Sequence, residues 1–309
     1  MKKEIKVFAP ASVANVACGF DIFGFALEHP GDEVLVKLTS KPGVIISKIS
    51  GDSGALSFDP EKNTAGVSVL KLLEALDSKQ GLEIQIEKKM PLGSGLGSSA
   101  ASSVASVYAA NILLGSPFVP EQLVQFAVEA ERVACGSAHA DNVAPSLLGG
   151  FVLIRSYNPL DIVKIPVKVD LYCTVLHPKI EINTAMSRSL LKKEITLQNH
   201  IIQSANAAGL IAGLMSGDYS LINRSLEDVI AEPVRSTLIP GFAKIKTAVL
   251  KAGALGCSIS GSGPSIFALS HDKIIADIVG DAMQRASRDL KFESDLYISP
   301  INTVGPVIL

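Results

Sequence analysis

The sequence has no excess of charge of either sign. Lys and Arg total 28 against 30 Asp and Glu, so no basic field is available to neutralise a nucleic-acid backbone, and an anionic ligand has to be held locally. Cysteine is also sparse. Cys18, Cys135, Cys173 and Cys257 are scattered, without the CxxC pairs or His partners of a structural zinc site, and read as reduced, mostly buried thiols of a cytosolic protein. No apolar run approaches the roughly 18 residues of a membrane span. The apolar stretch Val7 to Phe20 is broken by Pro10, Ser12 and Asn15 and ends in Gly19-Phe20-Asp21, unlike a signal-peptide core. A cytoplasmic location is therefore expected. Short repeats and low-complexity tracts are missing too, which sets aside solenoid and disordered readings.

What is present is enough apolar sequence for a large core. At 309 residues the chain exceeds the size at which one core keeps growing, so two domains are expected. Branched residues predict strands at Ile5–Ala9, Val34–Leu38, Val44–Ile49, Leu82–Ile86 and Gly150–Arg155. Apolar periodicity predicts helices at Ala65–Leu76, Ser98–Leu114 and Glu121–Ala134, the last with Pro120 in its first turn and Gly136 beyond its end. Asn158-Pro159 and Pro166 suggest a boundary within Ser156–Asp170. Strands at Leu171–Leu176 and Cys257–Leu269 and helices near Leu197–Met215, Pro240–Lys251 and Lys273–Arg288 follow. The fold class is α+β, with domains at 1–160 and 161–309.

The most informative stretch is Met90 to Ser103, and within it Pro91-Leu92-Gly93-Ser94-Gly95-Leu96-Gly97-Ser98-Ser99-Ala100. It lies between a predicted strand and a long Ala-rich helix. Three glycines let the backbone turn tightly and bring its N–H groups to an anion, while Ser98 and Ser99 open the helix, where unpaired donors and the positive end of the dipole favour phosphate. The loop lacks the Gly-Lys-Ser/Thr ending of a Walker motif, and its G-x-G-x-G spacing differs from the dinucleotide fingerprint.

With that loop, the chain resembles the superfamily of galactokinase, homoserine kinase, mevalonate kinase and phosphomevalonate kinase, and within it the homoserine kinases. The resemblance rests on "APASVANVACGFDIFG" from Ala9 to Gly24, on "PLGSGLGSSAAS", and on "ISGSGPSIFAL" from Ile259 to Leu269. "HADNVAPSLLGG" and "EPVRSTLIPGF" extend it over nearly the whole chain. It implies a ribosomal S5 domain 2-like N-terminal domain, a ferredoxin-like C-terminal domain, and an active site in the cleft between them. It further implies transfer of the ATP γ-phosphate to the side-chain hydroxyl of L-homoserine, in threonine biosynthesis, with Mg²⁺ as cofactor and a homodimer as the assembly.

The resemblance also assigns residues. Ser99 and Glu131 match the magnesium ligands; a helical wheel leaves both Glu129 and Glu131 at the margin of the apolar stripe, and Glu131 is selected by its place eight residues before His139. Arg188 and Arg235 match the carboxylate-binding arginines, whose planar forks suit a carboxylate. Asp21 would take the substrate ammonium, with Asn15, His139 and Asn142 around the hydroxyl-bearing arm and Gly261 in the loop that closes the pocket. Asn63 matches the adenine-side residue, and Lys88 and Thr184 are phosphate-side candidates. Asp141 is a candidate base by position, and whether it acts as one stays open. Mevalonate kinase has a lysine just after the opening Pro; here Pro10 is followed by Ala11-Ser12, which favours the homoserine branch. Two departures bear on pocket shape: Val16-Ala17-Cys18 replaces the usual Leu-Gly-Pro/Ala, and Val13 stands where many relatives carry a hydroxyl residue. The rival readings are a mevalonate- or sugar-type kinase and a ligand sensor without turnover.

Overall fold

Two antiparallel-dominated sheets organise the chain, described by a computed structural model over residues 2–136 and 138–309. The first sheet is built from β1 (Glu4–Ala14), β2 (Phe23–Thr39), β3 (Val44–Ser50), β4 (Gly81–Glu87), β5 (Phe151–Tyr157), β6 (Leu160–Ile165) and the terminal β11 (Val307–Ile308). Its order is β11-β1-β2-β4-β3, with β5 paired to β2 and β6 to β5. Among the described residues only β3 and β4 run parallel, because α1 (Thr64–Ala75) makes the crossover that a parallel pair requires. On this sheet lie α2 (Ser98–Leu113) and α4 (Ala140–Leu148), and α3 (Pro120–Cys135) packs on α1, α2 and α4. Alanine and serine dominate α2, and their small side chains let it be buried on nearly every side.

The second sheet has the order β10-β7-β9-β8, from β7 (Tyr172–Pro178), β8 (Gly256–Ile259), β9 (Ile266–Ser270) and β10 (Ser294–Pro300), all antiparallel. Between β7 and β8 come α5 (Thr184–Ser189), α6 (Leu197–Ser216), α7 (Tyr219–Ser225), α8 (Glu232–Arg235) and α9 (Phe242–Lys251), and α10 (Lys273–Asp289) joins β9 to β10. The stretch Cys257–Leu269, expected as one strand, is the β8–β9 hairpin. Phe25 of β2 stacks on Phe151 at 4.7 Å and meets the edge of Phe267, from β9, at 6.0 Å. A shared apolar core therefore fixes one sheet against the other.

The expected division at residue 160 falls within a β-hairpin. Asn158-Pro159 is the tip of the β5–β6 hairpin, so the first sheet runs on to Ile165 and the second begins at Tyr172. Turn residues mark a hairpin and a domain boundary alike, and only strand pairing separates them. Among the described residues no helix is long and apolar enough to cross a membrane. Cys18, Cys173 and Cys257 are buried and free; the side chain of Cys135 lies outside the described residues.

Candidate active site

The Gly-Ser loop connects β4 to α2, and its geometry follows from its glycines. Gly93, Gly95 and Gly97 lie at φ +63°, +78° and +67°, alternating with Ser94 and Leu96, which stay out of the left-handed region. That alternation turns successive amides to one side and forms an anion cradle. Space enforces it as well: a Cβ would lie 2.5 Å from the Ser260 carbonyl oxygen at Gly95 and 2.2 Å from Ser12 Oγ at Gly97. Gly97 is the N-cap of α2, and no side chain caps that helix. Its first-turn amides are thus available to phosphate oxygens.

A carboxylate that the sequence did not single out holds this cradle from behind. Asp32, in β2, is fully buried. Its Oδ1 accepts from the backbone N–H groups of Lys89 (2.8 Å) and Met90 (3.1 Å); its Oδ2 accepts from Ser98 Oγ (2.9 Å), Ser102 Oγ (3.4 Å) and Lys88 Nζ. Both ends of the loop are tied to one side chain. Lys88, expected on the phosphate side, lines the cavity but turns its ammonium to Asp32. Its side chain is 1% exposed, ion-paired with Asp32, and donates to the Ser98 carbonyl (2.7 Å) and Ser102 Oγ (2.8 Å). A buried ammonium requires a counter-charge, and Asp32 supplies it. Pro91, Leu96 and Ala100 lie outside the cavity lining; the Leu96 and Ala100 side chains belong to the core, which leaves only their backbone to a ligand.

The two glutamates that the helical wheel left undivided now separate. Glu129 pairs with Arg132 on the outer face of α3, whereas Glu131 is 2% exposed and lines the cavity. Glu131 Oε2 is 3.3 Å from His139 Nδ1, and its Oε1 is buried without a hydrogen-bond partner. Such an oxygen is costly unless a cation or donor completes it. Ser99, at the start of α2, lines the same cavity. Among the described residues no cluster of three His, Cys, Asp or Glu could hold a metal alone, so a hard cation here would draw most of its oxygen ligands from phosphate and water.

His139 is the N-cap of α4, and Asp141 and Asn142 occupy its first turn. Asp141 is buried with Oδ1 unpartnered, and burial, reinforced by the negative charge of Asp21, pushes its carboxyl up to about 7. His139 is raised from its ordinary value: burial opposes the charge, but Glu131, Asp141 and Asp21 together outweigh it.

Two guanidinium groups lie over one aromatic ring. Arg188 lies 5.5 Å and Arg235 4.9 Å from the centre of the Phe20 ring, Phe20 being another residue the sequence reading missed. Arg188, on the short helix α5 capped by Asn183, holds Asp21 through Nη1 (2.9 Å and 3.2 Å) and Nη2. Burial raises the Asp21 carboxyl despite Arg188, His139 and Arg235. Arg235 Nη1 donates to the Gly261 carbonyl at 3.0 Å, and its Nε is buried and unpartnered. Gly261 also accepts from Asn15 Nδ2 (2.9 Å), whose Oδ1 accepts from the Asp21 N–H (2.9 Å). Asn15 thus braces the Asp21 turn against the loop Ser260–Ser265. In that turn Val16 and Ala17 adopt φ +42° and +59° and are buried; the Gly19 N–H, donating to the Asn15 carbonyl at 2.8 Å, closes it.

All of this surrounds one cavity of about 800 Å³, lined from the first sheet's half by Asn15, Asp21, the loop, Ser99, Glu131, His139, Asp141 and Asn142, and from the second by Thr184, Arg188, Arg235 and Gly261. Thr184 Oγ1 meets Ser262 Oγ at 3.1 Å. Asn63 lines the far end, but its carboxamide caps α1, accepting from the Ala65 N–H (3.0 Å) and donating to the Ser57 carbonyl (2.9 Å).

Comparison with known proteins identifies the family. Residues 63–150 match the profile for the GHMP kinases N terminal domain and residues 210–289 that for the GHMP kinases C terminal. The homoserine kinase of Chloroherpeton thalassium is 53% identical over 318 residues, covering 99% of this chain and 100% of that one. A crystal structure of homoserine kinase from Cytophaga hutchinsonii superposes with a TM-score of 0.98 at 57% identity, covering 100% of this chain and 98% of that one. The L. major mevalonate kinase in complex with R-mevalonate shares the fold at 16% identity, with a TM-score of 0.75 and 98% of each chain covered.

Proposed function

The chain belongs to the homoserine kinase family of the GHMP kinases, and from that premise we infer that it transfers the ATP γ-phosphate to the side-chain hydroxyl of L-homoserine, giving O-phospho-L-homoserine and ADP. The first domain is of ribosomal S5 domain 2 type and the second ferredoxin-like, the latter supported by the β-α-β-β-α-β course of β7 to β10. The active site is the cleft between them. The reading places the enzyme in threonine biosynthesis, as a cytoplasmic homodimer.

One observation carries the assignment: an amide cradle, an incomplete buried carboxylate and two guanidinium groups opposite Asp21 face the same cavity. The loop amides from Gly93 to Ser99 would bind the phosphates, with Asn63 toward the adenine end. Ser99 and Glu131 would hold Mg²⁺, which when bound neutralises charge on the phosphates. Arg188 and Arg235 would take the substrate carboxylate and Asp21 its ammonium. In the free protein Asp21 and Arg188 satisfy each other, so a zwitterion can replace both halves of the pair at once, whereas a singly charged ligand would strand one. Asn142 would then face the hydroxyl. Phosphoryl transfer asks mainly for alignment and charge stabilisation, and the hydroxyl proton can leave with the transferred phosphoryl group.

A coupled ADP-release assay over homoserine, threonine, serine, mevalonate and galactose tests this. Turnover confined to homoserine is expected. Preference for mevalonate or galactose, or nucleotide binding without ADP release, would overturn the reading.

A further inference from the structure

Ser12 does not line the cavity, yet it touches two of the parts that must be aligned there. It follows a bulge in the β1–β2 pairing, where the register shifts between Pro10 and Ser12 and re-aims the side chain toward α2 and α4. Its N–H donates to the Leu96 carbonyl at 3.1 Å, inside the phosphate loop, and its hydroxyl donates to Asn142 Oδ1 at 2.9 Å. Ser12 is fully buried. The Asn142 oxygen also lies close against the α2 N-cap, 2.9 Å from where a Cβ on Gly97 would be. A second bond, from Ser146 Oγ to the Pro10 carbonyl at 2.8 Å, pins the same helix to the same strand.

We propose that Ser12 is a positioning residue for phosphoryl transfer: its hydroxyl anchors one end of the Asn142 carboxamide, so that the other end is held toward the acceptor hydroxyl. A carboxamide without a partner can turn about its side-chain torsions, and a hydrogen bond at one end restricts that turning. At Asn142 the partner is the Ser12 O–H, which leaves the other end to the cavity that Asn142 lines. Because the same residue grips Leu96, the phosphate cradle and the group facing the nucleophile keep a fixed separation. The proposal rests on the reading that Asn142 meets the substrate hydroxyl.

Steady-state kinetics of Ser12→Ala, Asn142→Ala and the double variant separate the two claims. Ser12→Ala should lower kcat about tenfold and leave the KM for ATP within about twofold, since orientation of the nucleophile and not nucleotide binding is lost. Asn142→Ala should lower kcat further, and the double variant should match Asn142→Ala, because nothing is left for Ser12 to orient. A Ser12→Ala loss that multiplies undiminished onto Asn142→Ala would overturn the proposal, placing Ser12 in the loop's support alone. A normal kcat for Asn142→Ala would instead overturn the reading of Asn142, and the proposal with it. If the alanine variant does not fold, Ser12→Cys keeps the shape and weakens the donor; a wild-type kcat for it would equally defeat the assignment.

Discussion

Replacing Asp32 by Asn changes almost no volume, yet it should be among the most damaging single substitutions outside the cavity lining. The two oxygens of Asp32 face different donors. Oδ1 serves the Lys89 and Met90 amides, which a carboxamide oxygen can serve as well. Oδ2 faces Lys88 Nζ, Ser98 Oγ and Ser102 Oγ, where the new NH₂ would meet three donors. Serine hydroxyls can rotate to accept; an ammonium cannot. Lys88, 1% exposed, would be left as a buried cation with only neutral partners. Breaking a buried pair from one side costs about 3–5 kcal/mol, a large share of a total stability of roughly 5–15 kcal/mol. Urea unfolding should show that loss, and the KM for ATP should rise because both ends of the cradle are released. Adding Lys88→Met should recover about 2 kcal/mol, since the stranded cation is gone. A loss below about 1 kcal/mol for Asp32→Asn, or strict additivity with Lys88→Met, would refute the buried-pair reasoning.

Three further outcomes follow from the same geometry. Arg235→Leu should raise the KM for homoserine roughly 30-fold or more, by removal of a buried charged partner, and that for ATP far less; equal effects on both substrates would remove Arg235 from the carboxylate site. Gly95→Ala should raise the KM for ATP about tenfold or more, because a left-handed Ala is strained by about 1–2 kcal/mol and its methyl would press on the Ser260 carbonyl; an unchanged value would mean that the loop does not carry nucleotide. The Asp141 carboxyl, pushed up to about 7 when folded, releases its proton at about 3.9 when unfolded. The folded state therefore holds the extra proton between those values, and its contribution to stability is full below about pH 3.9 and lost as pH rises through about 7. Asp141→Asn should accordingly gain in melting temperature over the wild type across that window, by the equivalent of up to about 4 kcal/mol at pH 8. A pH-independent difference would show that Asp141 does not titrate there.

Local patterns accounted for the shape of the glycine loop. Left-handed φ values at Gly93, Gly95 and Gly97 are a property of glycine itself, and a helix starting at Ser98 presents amides whatever surrounds it. Periodicity likewise marked α1, α2, α3, α9 and α10, because a helical stripe is written in consecutive residues. It could not choose between Glu129 and Glu131, which are only two positions apart on one helix; packing against α4 chose. Asp32 was invisible because it follows His29-Pro30-Gly31 and reads as a turn acid, and its five donors come from residues 56 to 70 positions away. Phe20 was passed over as one apolar residue among many.

The sequence by itself determined the chemistry on offer: a glycine loop opening a helix, acids and arginines in motif order, and two α/β halves with balanced charge. Tertiary structure decided which of those groups work together. The Lys88 ammonium was buried on Asp32, Asn158-Pro159 became a hairpin instead of a boundary, and Arg188 and Arg235, 47 residues apart, came to lie over the same Phe20 ring. Side-chain chemistry belongs to single residues and short spacings, whereas burial, pairing and orientation depend on contacts between elements far apart in the chain, and those exist only once the two sheets have closed on their common core.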